Sequence, residues 1–68
     1  MKRKVRCRNG NIVERFYDRS TRSSVTRVVD PNGNQIGDAD YSGNKGSACW
    51  IEKILVRDNG GEKDASVL

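Results

Sequence analysis

Val25-Thr26-Arg27-Val28-Val29-Asp30-Pro31-Asn32-Gly33-Asn34-Gln35-Ile36-Gly37-Asp38-Ala39-Asp40-Tyr41 reads as two strands joined by a tight turn. Proline presets φ for the second position of a type I turn. Asparagine suits the next position, and glycine takes a left-handed conformation cheaply. A three-residue loop, Pro31-Asn32-Gly33, with a bulge then joins the two strands. This register sets Asp30 across from Asn34, Val28 across from Ile36 and Val25 across from Ala39. Apolar residues meet apolar residues, as a half-buried sheet requires.

Upstream, Lys4-Val5-Arg6-Cys7-Arg8 alternates polar and apolar with the period of a strand. Asn9-Gly10 is a hairpin signal, and Ile12 to Tyr17 is its second strand. A loop ending at Gly10 puts Val5 across from Val13 and Lys4 across from Glu14, which pairs like with like and opposite charges together. Residues 18–24 have no apolar member and read as a mobile loop. Residues 41–47 are a second loop, rich in glycine.

Residues 48–57 carry conflicting signals. Their β-branched and aromatic content favours a strand. The spacing of Trp50, Ile51, Ile54 and Leu55, with Ser47 as N-cap, fits a helix. The expected fold is mostly β: a small antiparallel sheet or barrel from two β-hairpins, about residues 3–17 and 24–41. A final element over 48–57 is a strand or, alternatively, one helix packed on the sheet. The expected core is Val5, Val13, Phe16, Val25, Val28, Ile36, Trp50, Ile54 and Leu55. Residues 1–59 form one domain, and residues 60–68 read as a disordered tail.

The chain has 68 residues, 34% of them hydrophobic and 32% charged. A domain of this size buries only about 60% of the surface its unfolded chain exposes. The core is therefore thin, and self-association is one way to add stability. A catalytic pocket needs a supporting shell that such a core rarely supplies, so the composition argues against an enzyme. The chain has no histidine, which removes the commonest general base and metal ligand. No cofactor is expected.

There is no apolar run long enough to span a bilayer. Met1 to Lys4 resembles the start of a signal peptide, but Val5-Arg6-Cys7-Arg8 is no apolar core for one, so a cytoplasmic location is expected. Cys7 and Cys49 are then free thiols. Arg6 and Arg8 beside Cys7 would lower its pKa if the thiol were exposed; an inward-facing strand cysteine is the plainer reading.

Asp38-Ala39-Asp40-Tyr41-Ser42-Gly43 fits the opening of a calcium loop, but the twelfth position is Cys49 instead of a carboxylate. A turn rich in Asp and Asn explains the same residues. Trp50 is a core anchor if buried, and the natural centre of a protein-binding hot spot if exposed.

Charge is the strongest functional signal. Residues 1–27 hold nine Lys or Arg and two Asp or Glu, a net of +7, and the remainder carries a net of −3. Arginine binds phosphate oxygens bidentately, and stacking aromatics hold bases. The candidate contacts are Lys2, Arg3, Lys4, Arg6, Arg8, Arg15, Tyr17, Arg19, Arg22 and Arg27. The bland alternative is a solvated strand face whose charge blocks aggregation. Two functional readings follow. One is a non-catalytic module that contacts nucleic acid through a basic N-terminal hairpin and an Arg-rich loop. The other is an inhibitor or adaptor whose basic half docks on an acidic protein surface.

Overall fold

The computed structural model describes residues 2–64. Its elements are β1 (Arg3–Arg6), β2 (Ile12–Asp18), β3 (Ser23–Val29), β4 (Gln35–Ser42) and α1 (Lys45–Asp58). The strands form one antiparallel sheet in the order β1-β2-β3-β4, and α1 packs on one face. The mostly β fold is therefore the sheet-plus-helix form of the two architectures the sequence allows.

The first hairpin has the expected register, with Lys4 opposite Glu14 and Val5 opposite Val13. The central hairpin keeps Val28 opposite Ile36. Its turn is closed by Gly33 N–H donating to the Asp30 carbonyl at 2.9 Å and Asp30 N–H donating to the Asn34 carbonyl at 2.8 Å. The Asp30 Oδ1 accepts from the amides of Asn32 and Asn34, both at 2.9 Å. Gly33 has φ of 91°, which only glycine adopts cheaply.

The pairing differs further from the turn. Val25 faces Tyr41, not Ala39, because Gly37, Asp38 and Ala39 together oppose the single residue Arg27. Gly37, at φ of 70°, lets β4 bulge there.

Residues 18–24 are not a long mobile loop. Asp18 and Ser23 pair as the ends of β2 and β3, leaving residues 19–22 as the turn. The Asp18 Oδ1 accepts from the Ser20 amide at 2.9 Å and the Ser20 hydroxyl at 2.7 Å. These bonds fold the chain back and hold the Asp18 carboxyl below its ordinary pKa. Polar residues here make a turn through their own side chains, so lack of apolar residues was a poor guide to loop length.

The helix begins one turn earlier than expected. Asn44, not Ser47, is the N-cap, and its Oδ1 accepts from the Ser47 amide at 2.8 Å. The buried helix positions are Ala48 and Glu52, and Leu55 and Val56 pack against the core cluster Cys7, Val13 and Val28. The helix leaves the end of β4 and finishes against the first hairpin. There the Asn59 Oδ1 accepts from Asn9 Nδ2 at 2.8 Å and Asn11 Nδ2 at 2.9 Å.

This diagonal course explains two departures from the expected core. Ile36 lies at the corner of β4 that α1 does not cover and is 45% exposed. Trp50 points away from the sheet and is 66% exposed. Val5, Val13, Val25 and Val28 are buried as expected, and Phe16, Ile54 and Leu55 are half-buried.

Register places Val25 between Phe16 and Tyr41, and Val29 between Ile12 and Gln35, on the sheet face away from the helix. Neighbouring side chains thus close over both valines, which are almost fully buried.

The expected tail is partly docked. Arg8 N–H donates to the Gly61 carbonyl at 2.9 Å, and Lys63 N–H donates to the Arg6 carbonyl at 2.8 Å. Residues 61–63 therefore pair with the chain from Arg6 to Arg8, at the end of β1, where backbone groups would otherwise be unpaired. Residues 65–68 of that expected tail lie outside the described residues.

Candidate functional site

Strand alternation sends the N-terminal cations to opposite faces of the sheet, and each face gathers them around one glutamate. On the face away from α1, Glu14 is 5% exposed. Arg27 Nε donates to its Oε1 at 2.8 Å, and the ammonium groups of Lys2 and Lys4 lie 3.5 and 3.6 Å from Oε2. Burial works to raise the pKa of this carboxyl. The Arg27 bond and the charges of Lys2 and Arg27 outweigh it and leave the group below its ordinary value. Lys2 and Arg27 also lie 5.4 and 5.5 Å from the centre of the Phe16 ring, within cation–π range.

On the helix face, Arg3 and Arg15 stand opposite each other on β1 and β2. Both reach Glu52 of α1, which is 5% exposed. Arg3 Nε lies 2.9 Å from Oε2, and Arg15 Nε lies 3.1 Å from Oε1. The bond to Glu52 raises the pKa of the Arg3 guanidinium further above its already high value. A buried carboxylate needs such partners, since an unpaired charge in the interior is costly.

Two open recesses flank this bridge. One, of about 690 Å³, is lined by Lys2, Arg3, Arg15, Phe16, Tyr17 and Lys45 among others, and among the described residues its lining holds no carboxylate. Tyr17 stands at this recess 55% exposed. The other, of about 560 Å³, lies between β1 and α1, with Lys53, Arg57, Glu52 and Glu62 in its walls. Arg3 and Arg15 line both.

The ten candidate residues are thus divided. Lys2, Arg3, Arg15 and Tyr17 come together at the larger recess. Lys4 and Arg27, together with Lys2, hold Glu14 on the far face. Arg6 and Arg8 lie toward the other end of β1, where Arg8 Nε donates to the Glu62 carbonyl at 3.3 Å. Arg19 and Arg22 are exposed on the turn between β2 and β3. Lys45, Lys53 and Arg57 were missed because they belong to the half of the sequence with net negative charge. Their positions on a helix are the signal that would have found them.

Cys7 and Cys49 are both free, Cys7 buried and Cys49 half-buried. Burial pushes the Cys7 thiol above its ordinary pKa, and a backbone bond at Val13 opposes this only in part. The neighbouring arginines therefore do not activate it. The calcium-loop reading also falls, because residues 38–42 lie in β4 and residues 45–49 lie in α1. No helix among the described residues is long and apolar enough to cross a membrane.

Compared with known family models, curated proteins and solved structures, the chain finds no match.

Proposed function

We propose that the protein is a non-catalytic, cytoplasmic binding module that contacts nucleic acid through the basic end of its first hairpin. The observation that carries this reading is the larger recess. Four cations, Lys2, Arg3, Arg15 and Lys45, line it beside the exposed ring of Tyr17; Glu14 engages Lys2 and Glu52 engages both arginines from outside the lining, which holds no carboxylate among the described residues. Cations that converge on a concave surface suit phosphate, and an exposed tyrosine beside them offers a stacking face for a base.

Fluorescence anisotropy with labelled single- and double-stranded DNA and RNA, across a salt series, tests it. The expected result is binding that weakens linearly in log–log form with salt, through counterion release. No binding at low salt would overturn it.

Trp50 supports a second reading. An indole 66% exposed on a helix is the kind of residue that anchors a protein interface. An acidic partner meeting the basic half would then be the ligand. Tight capture of one protein, abolished by Trp50→Ala, with no affinity for DNA or RNA, is the outcome that favours it.

A further inference from the structure

Arg3 and Arg15 line both recesses, which adjoin across their bridge to Glu52 and are taken together as one cleft along α1 and the β1–β2 side of the sheet. Six cations line it: Lys2, Arg3, Arg15, Lys45, Lys53 and Arg57. Among the described residues, Glu52 and Glu62 oppose them from the walls, and Glu14 engages Lys2 at 3.5 Å from the far face of the sheet. Glu52 is buried beneath the two arginines and engages each at Nε, so it fixes the guanidinium groups in the middle of the cleft. The Arg3 side chain nevertheless remains 60% exposed. Positive charge therefore continues from Lys45 to Arg57, along the length of the helix.

We propose that this cleft is a track for a single strand of nucleic acid, with phosphates over the cations and a base against Tyr17. The inference rests on the nucleic-acid reading above and specifies the kind of nucleic acid. Three observations favour a single strand over a duplex. First, duplex readers insert a protruding helix or β-ribbon into a groove of about 12 Å. Here the cations line a recess in the protein, so the ligand is what enters. Second, the aromatic at the cleft is 55% exposed, and stacking on it needs a base free of its pairing neighbours. Third, Trp50, 66% exposed on the outward side of α1, puts a bulky indole where a groove-reading helix would meet base edges. A helix of 14 residues is about 21 Å long, which accommodates up to about six nucleotides at the stacked rise of ~3.4 Å.

The test compares charge reversals inside and outside the cleft, using the full chain. Lys45→Glu and Arg57→Glu lie at its two ends, and both side chains are at the exposed surface. Arg6→Glu makes the same change of charge on the opposite sheet face, at an exposed position. Circular dichroism first establishes that each variant is folded. Affinities are then measured by anisotropy for a labelled oligothymidylate, for a duplex of equal length and for polyglutamate as competitor.

The expected result is that the wild type prefers the single strand. Each cleft variant should lose about tenfold in affinity and reduce the salt slope by about one, while Arg6→Glu changes affinity by less than about twofold, as its charge lies outside the contact. Equal loss in all three variants, or a duplex bound as tightly as the single strand, overturns the cleft while leaving nucleic-acid binding intact. Absence of binding by the wild type overturns both. Displacement of the strand by polyglutamate at matched charge also overturns the proposal, in favour of an acidic protein ligand.

Discussion

Glu14 shows how a single residue redirects the basic segment around it. Read along the sequence, Lys2, Lys4 and Arg27 are three cations available to a partner. In the fold they surround one buried carboxylate, and Arg27 binds it at 2.8 Å. A carboxyl whose folded pKa lies below its unfolded value of about 4.3 adds stability above that value. The contribution disappears as pH falls through the lower, folded value. Because the cations around Glu14 remain partly exposed, solvent screens them, and Glu14→Gln should cost only about 1–2 kcal/mol at pH 7. Urea denaturation at pH 7 and again at about pH 3 should show the gap between wild type and variant narrowing in acid. A gap independent of pH would mean that the ionised carboxylate is not the source of the stability. The Lys4–Glu14 pairing was legible in the sequence, since it follows from the hairpin register. Burial of Glu52 was not, because it depends on Arg3 and Arg15 arriving from strands about forty or more residues away along the chain.

At the scale of elements, the turns at Gly10 and Gly33 were more legible than the turn at residues 19–22 or the helix. Asp30-Pro31-Asn32-Gly33 fixes its own geometry through local bonds, so the central hairpin could be read with the correct residues opposite each other near the turn. Local chemistry gave no warning of the bulge at Gly37, where pairing shifts and Val25 meets Tyr41. For α1, the apolar spacing pointed to a face containing Trp50, Ile51, Ile54 and Leu55. The buried face instead contains Ala48 and Glu52, with Leu55 and Val56 against the core. A hydrophobic pattern counts glutamate as an outward residue, so an ion pair beneath the helix rotates the true face away from the expected one. The N-cap offers a direct check of where the helix starts. Asn44→Ala should cost about 1 kcal/mol, whereas Ser47→Ala should cost less than about half of that. Thermal denaturation followed by circular dichroism separates the two. A larger loss at Ser47 would contradict the cap at Asn44.

The whole molecule arranges its charge in a way that the division of the sequence into halves conceals. The N-terminal half supplies Lys2, Arg3 and Arg15, and the half with net negative charge supplies Lys45, Lys53 and Arg57 from the helix. Packing α1 across the sheet brings the two sets to one cleft. Four of the ten residues singled out from the sequence reach that site, and the other six hold Glu14 or lie on the edge and turn. The most direct test is a ¹H–¹⁵N correlation spectrum of the protein titrated with a short oligothymidylate at low salt. Amide shifts are expected to concentrate at Lys2, Arg15, Tyr17, Gly43 and Lys45 and to continue along α1 toward Arg57. Shifts confined to Arg6, Arg8 or the Arg19–Arg22 turn, or no shifts at all, would contradict binding in the cleft.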